Sequence, residues 1–184
     1  MDFKKLVQMV NYVLAKYDFS LNYTKLIKLL YLSDRLCLER WDFAISGDEY
    51  FSMPKGPVLS GLFDFIRNKG NADKQVEWNN SFDIIKWDIV SNIKKDCSYD
   101  KLSKAEKMIL DEIDNKYHDK DIWYLVNDVA HKLPEWDKEA QKHGTSIPLE
   151  YRTILKALGK SEEEIENILK LKETCEIGRR LLNA

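Results

Sequence analysis

The spacing of apolar residues over positions 1–41 constrains this chain more than any other feature. Phe3, Leu6, Val7, Val10, Val13 and Leu14 recur at steps of three and four. That spacing puts one continuous apolar stripe on a helix covering roughly 2–17. Leu26, Leu29, Leu30, Leu36 and Cys37 mark a second helix over roughly 22–41, with Lys25, Lys28, Asp34 and Arg35 among its polar positions. Its apolar content suits a central element. Only 7 Gly and 4 Pro interrupt the chain, so long regular elements are expected throughout.

Between Ile45 and Met53 the pattern changes. Gly47-Asp48 signals a turn and Tyr50-Phe51 favours a short extended piece. Pro57, after Gly56, is read as the first residue of a helix, where its missing N–H costs nothing. That helix carries Val58, Leu59, Leu62, Phe63 and Ile66 and stops near Gly70. Val76 to Trp78 and Phe82 to Ile89 flank Asn79-Asn80-Ser81 and read as a β-hairpin. Helical periodicity then returns. Ser103 with Glu106 and Ser161 with Glu164 have capping-box spacing, and Asp121 precedes a stretch through Ile122, Leu125, Val126 and Val129. A short helix near Tyr151, Ile154 and Leu155 ends at Gly159, and the last helix runs through Ile165, Ile168, Leu169 and Leu181. The expected fold is mainly α: a compact domain of about seven helices with one small antiparallel β element. No repeat or linker divides residues 1–184, which read as a single domain.

Charge and chemistry narrow the function. The 29 basic and 31 acidic residues give a formal net charge of −2, which argues against a duplex-binding face. Ala157 to Ile168 has a faint helix-turn-helix outline, but its second helix opens on Ser161-Glu162-Glu163-Glu164 and would aim carboxylates at phosphate. Cys37, Cys97 and Cys175 are odd in number and far apart, which fits a reducing cytoplasm better than a disulfide framework. His118, His131 and His143 lack the three- or four-residue spacing of a helical metal site. No metal or organic cofactor is expected. Neither a Walker loop nor G-x-G-x-x-G is present, and no apolar run is long enough to span a membrane. Cys37 lies on the apolar side of its helix and reads as a core residue rather than a nucleophile paired with His131.

Two segments in order carry a resemblance. Lys25-Leu26-Ile27-Lys28-Leu29-Leu30-Tyr31-Leu32-Ser33-Asp34 is followed by Ile45-Ser46-Gly47-Asp48-Glu49-Tyr50-Phe51-Ser52-Met53-Pro54-Lys55-Gly56-Pro57-Val58. Leu102-Ser103, Glu106, Tyr117, Val129-Ala130-His131 and Trp136 continue the pattern. Over roughly residues 3–140 the chain resembles the Panacea domain, found in phage-associated proteins and in antitoxins of toxin–antitoxin pairs. Lys55 stands where the family often has an aromatic residue or His, and Ala130 where a small hydroxyl residue commonly precedes the His. Residues 145–184 form a helical extension outside the resemblance.

The resemblance implies a mostly helical domain with a small β element that neutralises a protein toxin from a neighbouring gene by direct binding. It implies no catalysis. Read physically, Gly56 and Pro57 shape the backbone, and the expected helix start beside Lys55 suits a partner's carboxylate. Candidate partner-binding residues are Tyr50, Lys55, Gly56, Pro57, His131 and Trp136. An enzyme is the runner-up and would need Tyr31, Asp34, Asp48, Tyr50 and His131 to converge in one pocket. A third reading is an adaptor delivering its partner to a protease through a tail such as Asn183-Ala184. Self-association stays open.

Overall fold

A computed structural model describes residues 1–182; Asn183 and Ala184, the tail invoked for a protease adaptor, lie outside the described residues. Helix α1 (Phe3–Leu14) begins where the Asp2 carboxylate accepts from the Lys5 N–H at 3.1 Å. A 3-10 turn (Ala15–Tyr17) follows, and Asp18 and Phe19, both at positive φ, turn the chain into strand β1 (Ser20–Asn22). Asn22 then caps helix α2 (Tyr23–Trp41) by accepting from the Thr24 N–H at 2.9 Å. Twelve consecutive or near-consecutive residues of α2, from Lys25 to Leu38, are buried, so the expected central element is the structural axis. Lys25 and Lys28, read as polar-face residues, are buried with it.

Strands β2 (Tyr50–Met53) and β3 (Gly56–Leu59) form an antiparallel hairpin, pairing Tyr50 with Leu59 and Met53 with Gly56. Pro57 therefore belongs to a strand, not to a helix start. Its missing N–H is tolerated because β3 is an edge strand. Helix α3 (Ser60–Ile66) begins three residues later than expected and ends short of Gly70, with Asn68 taking the left-handed conformation. Helix α4 (Ala72–Ser81) contains Val76 to Trp78, which were expected as a strand. Asn71 caps this helix and Asp73 lies in its first turn, while Val76 is exposed and Trp78 is buried. Local capping thus outweighs the β propensity of Val and Trp. The hairpin lies one step further along, between β4 (Phe82–Ile85) and β5 (Asp88–Ser91), and β1 pairs with β5 to complete a sheet.

Helix α5 (Lys104–Tyr117) opens on the expected Ser103–Glu106 capping box. Asp121 accepts from the Tyr124 N–H at 2.7 Å, and the helix that follows is a π-helical segment (Tyr124–Val129) running into a 3-10 turn (Ala130–Lys132). Helix α6 (Lys138–His143), strand β6 (Ile147–Leu149), helix α7 (Tyr151–Ala157) and helix α8 (Glu162–Leu182) complete the described chain. Strand β6 pairs with β2, giving the order β3-β2-β6. Mainly α thus holds, but one hairpin with about seven helices is corrected to two three-stranded antiparallel sheets with eight α-helices and a π-helical segment among the described residues. Both third strands are three residues long and pair across large sequence separations, which local propensity does not signal.

One apolar cluster draws on residues from Phe3 to Ile168, with Leu26, Leu30, Leu38, Leu59, Leu125, Leu155 and Ile165 fully enclosed. Leu181, expected on the packed face of the last helix, is exposed. No described helix is long and apolar enough to cross a membrane.

Candidate functional site

Inside α2, a polar stripe at helical spacing faces the β2–β3 hairpin and the turn after the π-helical segment. Lys28 is 2% exposed, and its ammonium donates to the Pro57 carbonyl at 2.6 Å. One turn on, the Tyr31 hydroxyl donates to Glu135 Oε1 at 2.9 Å. Arg35 Nε donates to the same oxygen at 2.6 Å, so a buried carboxylate is neutralised by a guanidinium. Asp34, fully enclosed, accepts from the Ser46 N–H at 2.9 Å, from the Ser46 hydroxyl, and from the Tyr50 hydroxyl at 2.9 Å. Burial pushes the Asp34 carboxyl up to about 6, against the opposing pull of these donors.

Residues 131–137 also hold this hairpin. His131 Nε2 lies 3.0 Å from the Pro54 carbonyl, which can only accept, so this nitrogen carries the proton. Burial, with Lys28 nearby, lowers the His131 pKa and keeps the ring neutral. Trp136 Nε1 donates to the Met53 carbonyl at 3.0 Å, and its ring stacks on His131 with centroids 4.0 Å apart. The Asp137 N–H donates to Ser52 Oγ at 3.1 Å. Gly56 sits at φ +97°, and a Cβ there would lie 2.6 Å from that of Ala130. Both the dihedral and the close approach require glycine. Asp48 accepts from the N–H groups of Gly61 and Leu62 at 3.0 and 3.1 Å and so caps α3 from outside the helix.

Six residues were expected to bind a partner. Tyr50, Gly56, Pro57 and Trp136 are buried and build the hairpin's clasp, His131 is half-buried within it, and Lys55 is exposed at the tip. The helix N-terminus expected beside Lys55 is absent, because α3 starts at Ser60. The polar set Tyr31, Asp34, Asp48, Tyr50 and His131 does not form one pocket. Tyr31 turns to Glu135, Asp34 binds Ser46 and Tyr50, and His131 binds Pro54. Of the five, only Asp48 borders either principal surface cleft. Cys37 is enclosed, and burial raises its thiol to about 12. Among the described residues no cluster of His, Cys, Asp and Glu has metal-site geometry.

A family model described as "Antitoxin SocA-like, Panacea domain" matches residues 26–137, more than half of the chain. The chain belongs to this family. No curated protein and no solved structure matches it. The Panacea match opens on α2 and closes at Asp137, so it includes both segments that grip the hairpin. Helix α1, strands β1 and β6, and helices α6 to α8 lie outside it.

Sequence reading missed Lys28, Glu135 and Ser46 as parts of the Panacea clasp. A signal existed: Lys28, Tyr31 and Arg35 are spaced three and four apart, a polar stripe within an apolar helix. The exposure of two tryptophans was also missed. Trp87, 67% exposed, lies against Tyr23, and Trp123, 60% exposed, sits beneath the Lys55 ammonium.

Proposed function

We propose that this chain is an antitoxin that binds a protein toxin encoded by a neighbouring gene and neutralises it by occlusion in the cytoplasm, without catalysing a reaction. The family match over residues 26–137 carries this reading. The geometry agrees with it. The polar side chains of the family segments hydrogen-bond to one another and to the hairpin backbone, leaving an aromatic and cationic surface outside the clasp. Surface-exposed tryptophans are residue types enriched at the centres of protein interfaces.

The test is co-expression with the adjacent open reading frame. Growth arrest by that product alone, relief by this chain, and recovery of the two proteins as one complex support the reading. Relief at strongly substoichiometric amounts with no recoverable complex would replace it with an enzymatic antitoxin. Relief that requires a cellular protease and removes the toxin would replace it with an adaptor.

A further inference from the structure

Beside the hairpin tip, between α2, β3 and α3, lies a cleft of about 240 Å³. Ile27, Met53, Val58 and Phe63 give it an apolar lining, and Lys28 and Lys55 are its only charged lining groups. Lys28 is almost wholly removed from solvent, and one of its three donors is engaged, by the Pro57 carbonyl. It forms no ion pair among the described residues. Burying an ammonium without a counter-charge is unfavourable, and an incoming carboxylate would offset that cost.

We propose that this cleft is where the toxin docks, and that it takes an acidic side chain of the toxin set next to an aliphatic or aromatic residue. The inference rests on the antitoxin reading and adds the chemistry of recognition. Charge complementarity selects the occupant: two lysines and no carboxylate line a mostly apolar cavity of about 240 Å³. Two exposed tryptophans lie close to its lining residues. Tyr23, which lines the cleft, has its ring 6.1 Å from that of Trp87, and the Lys55 ammonium is 5.5 Å from the Trp123 ring.

Burial and the nearby Lys55 charge push the Lys28 ammonium down to about 7. The titratable groups that face it are Lys55 from the hairpin and neutral His131 from the 3-10 turn. Neither supplies negative charge, so a bound carboxylate raises the affinity of Lys28 for its proton. Docking therefore takes up a proton when the pH is above 7.

The experiment has two arms and uses the full chain. In the first, hexanoate is titrated against protein with isotope-labelled lysine side chains, with hexanamide as the uncharged control. Hexanoate should shift the Lys28 and Lys55 side-chain signals and raise the Lys28 pKa by about one unit or more. Hexanamide should bind at least about tenfold more weakly, and Lys28→Met should abolish the difference. Should Lys28→Met fail to fold, Lys55→Glu provides the same contrast from an exposed position. Equal responses to hexanoate and hexanamide would overturn the carboxylate site. In the second arm the toxin is titrated by calorimetry in buffers of different ionisation enthalpy at pH 8. Lys55→Glu should weaken binding by about tenfold or more with unchanged melting temperature, and the wild-type complex should show proton uptake. Full toxin affinity in a normally folded Lys55→Glu protein would overturn the docking assignment and leave the antitoxin reading intact. A wild-type chain that binds hexanoate but not the toxin would overturn the antitoxin reading and this occupant, while leaving the carboxylate site standing.

Discussion

Lys28 and Asp34 lie on one helix, and both hold ionisable groups out of water. Their titrations affect stability with opposite signs. For Lys28 the folded pKa, about 7, lies below the usual lysine value, so between those values the unfolded chain binds more protons. Stability must then rise with pH over that window, at up to about 1.4 kcal/mol per pH unit from this group. Chemical denaturation of wild type and Lys28→Met from pH 7 to 10 should show the steeper rise in wild type; parallel curves would mean that Lys28 is solvated. For Asp34 the folded pKa, about 6, lies above the usual carboxyl value. The stability that goes with its protonated form is complete below pH 4 and is lost as pH rises through 6. Asp34→Asn should remove that dependence while keeping an acceptor for the Ser46 N–H. Asp34→Ala should cost about 2–4 kcal/mol, because it leaves buried donors of Ser46 and Tyr50 without their acceptor. Equal melting temperatures for Asn and Ala variants would contradict the network.

At the scale of elements, the β2–β3 hairpin has a two-residue turn and is gripped by helix α2 and by residues 130–137. Its conformation depends on contacts made 29 to 85 residues away in sequence, such as Lys28 to Pro57 and Asp137 to Ser52. Gly56→Val places a branched side chain at φ +97° against Ala130 and should cost about 2–4 kcal/mol. Trp136→Ala removes a buried ring and its hydrogen bond to Met53 and should cost about 3 kcal/mol. Each should lower the melting temperature by several degrees, whereas Lys55→Glu should leave it within error of wild type. The hairpin also marks how far sequence reading reaches. Helices α1, α2 and α5 were legible because apolar period and capping are local, and the Gly56 turn because glycine signals its own dihedral. Pro57 was assigned to a helix because a strand position for proline depends on which neighbour the edge lacks, information that no local pattern carries. The burial of Lys28, one of the polar positions of its helix, was not legible because lysine is rarely buried.

For the whole molecule, the Panacea match ends where the hairpin clasp ends, and the remaining elements are built onto it. Strand β6 extends the hairpin sheet from outside the match, and α7 and the first half of α8 close over the core. The acidic start of α8 is engaged within this extension, with Glu162 paired to Arg152 and Lys156. Deleting residues 145–184 should therefore do more than trim a tail. It removes Leu155, Ile165 and Ile168 from the core and should abolish cooperative thermal unfolding, as circular dichroism would register. The six expected contact residues all meet at the hairpin, where most of them build its fold. Their division into clasp and surface was not legible, because burial follows from packing between distant segments. Stoichiometric binding is the proposed route of neutralisation. Its most direct test is calorimetric titration of the purified product of the adjacent toxic gene into this chain, read alongside loss of toxicity. A saturable complex of fixed stoichiometry should form as toxicity is lost; neutralisation complete while most of the toxin is still unbound would rule out neutralisation by binding.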